Sequence, residues 1–158
     1  MRLTTFTDYS LRVLIYLAAY PDRRATIAEV SRAFHVSESH VAKVVQFLGA
    51  AGWLENSRGR KGGMRLAVNS AQIIVADVVK LAEGNDVPAA CFEPGGVDCR
   101  ISQACRLKHV LAQAVQAFYE SLAQHTLADL VQDGEGIRAV LLSPVARPLA
   151  GATGSASR

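Results

Sequence analysis

Two helix patterns that follow one another with almost no connecting chain constrain the fold most. The first covers residues 26–34, where Thr26 and Glu29 have the spacing of a capping box, in which each side chain satisfies a backbone N–H group of the first turn. After only two further residues, a second helix is predicted over residues 37–51. Two helices joined by so tight a turn are typical of a helix-turn-helix unit.

The second helix has an apolar face and a polar face. Its predicted buried stripe is Val41, Val44, Val45 and Leu48. The outward positions carry residue types that hydrogen-bond base edges or phosphates, and they are Ser37, Glu38, Ser39, His40, Lys43 and Gln46. A solvated face on an ordinary helical bundle would look similar, so this helix alone leaves that alternative open.

The stretch after the second helix decides between these alternatives. From Trp53 the sequence WLENSRGRKGGMRLAV predicts a strand, a glycine-rich turn and a second strand, which together form a β-hairpin wing. Its cations are Arg58, Arg60, Lys61 and Arg65. Glycines let a backbone approach a phosphate chain closely, and cations attract it. The predicted fold is therefore mainly α with a small β-hairpin, a winged helix-turn-helix domain that binds DNA.

The charge distribution supports an anionic partner for the first half of the chain. Residues 1–70 carry ten Lys and Arg against five Asp and Glu, a net charge of +5, whereas residues 71–158 carry seven against nine, a net charge of −2. Because the overall net charge is only +3, the asymmetry is more informative than the total. No apolar run approaches the length of a membrane span, so no membrane partner is expected.

Further helices are predicted before the helix-turn-helix unit and after the wing. One is predicted over residues 5–19, with a capping box at Thr5 and Asp8, and another over residues 71–83. The expected buried face of the first is Leu11, Leu14, Ile15 and Ala18. We thus expect a DNA-binding domain over residues 1–83, a cysteine loop over 84–105, a dimerisation helix with a short C-terminal helix over 105–131, and a disordered tail over 143–158.

The predicted dimerisation helix begins at Cys105 and runs to about Gln124. An apolar stripe recurs along it at steps of three and four residues, and consists of Leu107, Leu111, Ala114, Phe118 and Leu122. The stripe is too long for the small preceding domain to cover, so a helix of a second subunit is expected to cover it. Packing wholly within one chain is the alternative. Thr126 is expected to cap a last short helix, TLADLVQ.

All three cysteines of the chain lie in one loop, CFEPGGVDCRISQAC, between residues 91 and 105. Thiolates are the preferred protein ligands of iron–sulfur clusters and also bind zinc. Buried apolar cysteines, or a disulfide with one odd thiol, are the alternatives. Since MRLTTFTDYS has no signal-peptide pattern, an oxidising compartment is not expected. An enzyme with a cysteine nucleophile is not expected, because none of the four histidines, His35, His40, His109 and His125, lies in a catalytic motif.

The opening MRLTTFTDYSLRVLIYLA, the wing RGRKGGMRL and the block CRLKHVLAQAVQAFYESLAQHTLADLV closely resemble the nitric-oxide-sensing branch of the Rrf family of winged-helix regulators. The resemblance spans about residues 1–131. It implies a cytoplasmic, homodimeric repressor that binds a double-stranded, palindromic operator and is released when nitric oxide reacts with its iron–sulfur cluster. A structural zinc, or a cluster that senses redox state or iron status, is the alternative.

Carried over by position, the resemblance implies a cluster held by Cys91, Cys99, Cys105 and, from the other subunit, Asp8. It favours a four-iron (4Fe-4S) over a two-iron (2Fe-2S) cluster, because the two-iron branch has a histidine where this chain has Lys108. Seven residues separate the first two cysteines, more than is usual in the family. Glu93, Asp98 and His109 therefore stay open as alternative fourth ligands.

Overall fold

A computed structural model describes residues 3–57, 59, 62–84, 87–92, 99–101 and 104–142. Seven α-helices and one two-stranded antiparallel sheet lie in this part of the chain. Their order is α1 (Thr5–Ala19), α2 (Ile27–Phe34), α3 (Glu38–Ala50), β1 (Leu54–Ser57), β2 (Gly63–Leu66), α4 (Val75–Glu83), α5 (Arg106–Ala123), α6 (Leu127–Leu130) and α7 (Gly134–Leu142). Short 3-10 turns cover Ser70–Gln72 and Ala90–Phe92. The predicted fold class, mainly α with one hairpin, is confirmed.

The helix-turn-helix unit forms for the reasons that its sequence indicates. Thr26 and Glu29 make the predicted capping box at the beginning of α2. The turn to α3 passes through His35, which adopts a left-handed conformation with φ 54°. Ser37 then caps α3 by accepting the backbone N–H of His40. The predicted stripe of α3 is confirmed, since Val41, Val44, Val45 and Leu48 are all buried.

Helix α1 has the predicted bounds, but two details of the prediction are wrong. Its N-cap is Thr4, whose hydroxyl accepts the backbone N–H of Thr7 at 3.2 Å, and not Thr5. The side chain of Asp8 pairs instead with Arg12, one turn further along the helix. The buried face is also rotated, because α1 packs against both α3 and α4. It consists of Thr7, Ser10, Val13, Leu14, Tyr16, Leu17 and Ala19, while Leu11, Ile15 and Ala18 are only half-buried.

The wing is joined to the helical core by backbone pairing. In the hairpin Leu54 lies opposite Leu66 and Glu55 opposite Arg65. Ala25, which follows α1, exchanges two backbone hydrogen bonds with Met64 of β2, at 2.9 and 2.8 Å. Gly63 is required here, because its φ is +149° and a Cβ on it would lie 2.8 Å from the carbonyl oxygen of Ala25. The base of the wing is thus fixed to the chain that leads into α2.

The chain beyond the wing returns to the same core. Helix α4 begins later than predicted, at Val75 and not at residue 71, because the backbone before it pairs with the segment between α5 and α6. The Val75 N–H donates to His125 O, and the Leu127 N–H donates to Ile73 O at 2.8 Å. Leu127, on α6, is 1% exposed and belongs to the main core. Thr126 caps α6, as predicted, in a capping box with Asp129.

Helix α7 was not expected, since α6 was predicted to be the last helix. It packs against α1 and α2. The Arg138 side chain donates to the carbonyl oxygen of Ala19 at 2.8 Å, which places a cation at the C-terminal end of α1, where the helix dipole is negative. The predicted tail, residues 143–158, lies outside the described residues. Among the helices that the structure describes, none combines the length and apolarity needed to cross a membrane.

Candidate DNA-binding surface and cysteine segment

The six outward positions predicted on α3 share one property: all are exposed. They are Ser37, Glu38, Ser39, His40, Lys43 and Gln46. The hydroxyl of Ser37 already acts as the helix cap and lies 2.8 Å from Nδ1 of His40. The His40 ring also faces Tyr9 of α1, with the ring centroids 6.0 Å apart. The face therefore offers hydrogen-bonding side chains to a ligand, with His40 held in place by its neighbours.

At the base of the wing, one carboxylate binds two arginines. Glu55 Oε1 accepts from Arg65 Nε at 2.5 Å, and the same oxygen accepts from Arg24 Nη2. The hydrogen bond from Arg65 is the main cause of the lowered pKa of Glu55, and the bond from Arg24 contributes further. Glu55 is thus ionised near neutral pH, and Arg65, a predicted DNA contact, already has a partner. The other predicted wing contacts, Arg58, Arg60 and Lys61, lie outside the described residues.

The three cysteines are all described, and each is a free, half-buried thiol. Cys91 lies in the 3-10 turn Ala90–Phe92, and Cys105 is the N-cap of α5. Its side chain makes no capping hydrogen bond, so the sulfur remains available. In donor chemistry the three thiols suit an iron–sulfur cluster or zinc.

The ligands themselves are not assembled into one group. Within the described residues, no three or more His, Cys, Asp and Glu side chains are placed to hold a metal ion. Two of the alternative fourth ligands, Glu93 and Asp98, fall outside the described residues, and His109 is exposed on α5. Lys108 of α5 lies over the ring of Phe92, 5.6 Å from its centroid, which joins the chain after Cys91 to the first turn of α5.

Asp8 lies on the surface of α1, away from the buried face. Its two carboxylate oxygens accept from Arg12 Nε at 3.0 Å and from Arg12 Nη2 at 2.9 Å. The Arg12 guanidinium also lies 5.9 Å from the centroid of the Phe34 ring, at the end of α2. Since 44% of the Asp8 side chain is exposed, a group outside this chain could reach the carboxylate.

Helix α5 lacks the cover that a helix of its composition needs. None of its 18 residues, all of them described, is buried. Of the predicted stripe, Leu111, Phe118 and Leu122 are half-buried, whereas Leu107 and Ala114 are exposed. Val110, which was not part of the predicted stripe, is 56% exposed beside Leu107 at 63%. An apolar groove of about 490 Å³ also opens between α5, α4 and residues 87–92. Exposed apolar surface of this kind is typical of interaction sites.

Comparison with known proteins shows the family to which the chain belongs. A family model described as "Rrf2: Iron-dependent Transcriptional regulator" matches residues 3–133. The chain belongs to the Rrf2 family. Within the family it is NsrR-type, because it is 41% identical over 142 residues to the HTH-type transcriptional regulator NsrR of Geobacillus kaustophilus (strain HTA426), a match over 89% of this chain and 97% of that protein. Its relatives are transcriptional regulators and not enzymes, which confirms the sequence-based prediction.

Solved structures show the same fold for this Rrf2 regulator. T. potens IscR matches with a TM-score of 0.68 and 23% identity, over 86% of this chain and 90% of that one. Staphylococcus aureus CymR in its oxidized form matches at 0.67 and 24%, covering 84% and 97%. CymR (YrzC), the global cysteine regulator of B. subtilis, matches at 0.65 and 25%, covering 84% and 98%. Helix α7 begins at Gly134, directly after the residues that the family model matches.

Sequence reasoning missed Arg24 and Glu55 as members of the wing. The prediction relied on the cluster of cations at the tip, and Arg24 is distant from that cluster in sequence. A signal existed for Glu55, because antiparallel pairing places it opposite Arg65 and oppositely charged cross-strand neighbours attract one another. No local signal indicates that Arg24, beyond α1, reaches the same carboxylate.

Proposed function

We propose that this Rrf2 regulator is a homodimeric, nitric-oxide-sensing repressor whose DNA binding depends on an iron–sulfur cluster. The observation that carries the proposal is the presence of three free thiols in the segment that leads into α5, a helix with no buried residue in the single chain. The NsrR-type relationship supports the same function. In this proposal the cysteine segment leads directly into the helix against which a second subunit would pack.

Cys91, Cys99 and Cys105 would hold the cluster, and Asp8 of the second subunit would be the fourth ligand. A carboxylate oxygen is a harder and weaker ligand for iron than a thiolate, so this position is the one most open to exchange. A four-iron cluster with such a ligand set would supply an iron that a small molecule such as nitric oxide could reach. Arg12, which holds both oxygens of Asp8 in the single chain, would have to release at least one of them.

The exposed face of α3 would enter the major groove, and the cations of the wing would bind phosphates. Ser39, Lys43 and Gln46 supply donors and acceptors for base edges, while Arg side chains supply salt-dependent attraction to the backbone. A dimer of winged helices reads two half-sites about one helical turn apart. A change in the spacing or tilt of the two α3 helices therefore weakens binding at both half-sites together.

Contacts between α1 and α3 link the proposed fourth ligand to the reading surface. Tyr9, the neighbour of Asp8, faces His40 on α3. Phe6, at the beginning of the same helix, packs edge-on against Phe47, with ring centroids 5.1 Å apart. Because packed aromatic side chains resist independent movement, a shift of α1 on release of Asp8 would be transmitted to α3.

Nitric oxide should abolish sequence-specific DNA binding by the anaerobically purified protein. The test uses an operator selected by this protein from a random pool of duplexes, and measures binding before and after anaerobic addition of nitric oxide. We expect the binding constant to fall at least about a thousandfold, to the level of non-specific binding. Unchanged binding would refute the proposed signal. A loss of binding caused only by iron depletion or oxidation would assign the sensor to a different signal.

A further inference from the structure

The ion cluster formed by Arg24, Glu55 and Arg65 lies at the surface of the wing base. Glu55 and Arg65 are directly opposite in the hairpin, so both side chains leave the same face of the sheet. Arg24 reaches this face from the chain before α2 and also donates to the carbonyl oxygen of Gly63 at 3.2 Å. The side chains of Arg65 and Glu55 are 55% and 42% exposed, so the cluster faces solvent.

The wing is attached to the core by contacts that do not involve Glu55. The hairpin is attached to the core through the two backbone hydrogen bonds between Ala25 and Met64 and through Leu54 and Met64, which are buried. Exposed ion pairs contribute little to stability, because solvent screens them and ordering the side chains costs entropy. We therefore expect the main effect of the carboxylate to come from its charge.

The charge of Glu55 opposes the attraction of the wing for phosphates. With the carboxylate present, the three side chains carry a net charge of +1, whereas the two arginines alone would carry +2. Any phosphate that approaches Arg65 must compete with Glu55 for the guanidinium and is repelled by the carboxylate. Both effects are independent of base sequence, since a phosphate carries no sequence information.

We propose that Glu55 acts as an electrostatic brake on the wing, lowering its affinity for DNA of any sequence by neutralising Arg65. The inference rests on the proposed DNA-binding function and deepens it, because it assigns the control of non-specific binding to one residue. The consequence is a regulator whose wing contributes less to binding at random sites. Recognition then depends more on the base contacts of α3, which distinguish an operator from other DNA.

Replacing Glu55 with Gln should strengthen binding to a short duplex of random sequence and steepen its salt dependence. Gln keeps the size of the side chain and removes its charge. One additional phosphate contact changes the slope of log K against log salt by about −0.9, so the binding constant should rise about tenfold at 50 mM salt and about threefold at 200 mM. Fluorescence anisotropy across a salt series measures both quantities.

The control variant is Glu135→Gln, on α7. It makes the same change in net charge at an exposed position on a helix that is not part of the wing, and we expect its binding constant and slope to match those of the wild type. Circular dichroism of each variant checks that the helices are retained. An equal gain in Glu135→Gln would assign the effect to net charge alone and overturn the inference.

A double-mutant cycle with Arg65→Gln tests whether the brake acts through Arg65. Most of the gain caused by Glu55→Gln should disappear when Arg65 is absent. A full gain in that background, or a Glu55→Gln variant that binds as well as or less well than the wild type, would overturn the inference alone. A wild-type protein that binds no duplex at all would overturn the proposed function as well.

Discussion

Replacing Cys105 with Ser should remove the iron and sulfide from the protein while leaving its fold intact. A serine hydroxyl is a poor substitute for the soft thiolate that iron–sulfur clusters require. Loss of a cysteine can also destabilise a fold, which would remove the cluster indirectly. That effect is not expected here, because Cys105 is the N-cap of α5 and its side chain makes no capping hydrogen bond. Serine is a preferred N-cap residue and should stabilise α5 by up to about 1 kcal/mol.

The measurement is iron and sulfide content after anaerobic purification, together with thermal unfolding followed by circular dichroism. The matched control is Ala104→Ser, which introduces a hydroxyl at the neighbouring position and leaves every thiol in place. We expect the control to retain the iron content and visible spectrum of the wild type. If Cys105→Ser also retained them, Cys105 would not be a ligand. If Cys105→Ser unfolded, the expectation that the fold stays intact without the cluster would be wrong.

If the protein is the homodimer that we propose, replacing Val110 with Asp should give a folded monomer. Val110 is 56% exposed on α5 and contributes to apolar surface that the single chain leaves uncovered. In the monomer the new carboxylate would remain in water, so the fold should be little affected. In a dimer it would be buried without a partner, which costs several kcal/mol.

Sedimentation velocity of the variant and of Val140→Asp tests this prediction. Val140 is 72% exposed on α7 and provides the same change of side chain away from α5. We expect Val140→Asp to sediment as the wild type and Val110→Asp to sediment as a monomer. A dimeric Val110→Asp would show that the exposed side of α5 is not the subunit interface.

Local patterns were sufficient to predict the helix-turn-helix unit and the hairpin. The capping box at Thr26, the valine stripe of α3 and the glycine-rich hairpin depend on residues close together in sequence, and each formed as expected. The burial of α1 could not be predicted as well, because its inner face is chosen by packing against both α3 and α4. Periodicity locates a helix but does not say how many neighbours it has.

The missed features depend on contacts between residues that are distant in sequence. Helix α7 has glycines at Gly134 and Gly136, which disfavour a helix, and one of the contacts that hold it in place joins Arg138 to Ala19. The same limit applies to the candidate cluster. The cysteines of the loop indicate the class of group that they would bind. A fourth ligand such as Asp8 would come from another part of the fold and, in our proposal, from a second chain.

The visible absorption spectrum of anaerobically purified wild-type protein, with iron, sulfide and zinc counted on the same sample, tests the central claim most directly. A cluster held by Cys91, Cys99 and Cys105 predicts a brown protein with broad absorption in the visible range and equal amounts of iron and sulfide, about four of each per chain. A colourless protein that contains about one zinc per chain and no sulfide would contradict the account, and would make the cysteine segment a structural metal site.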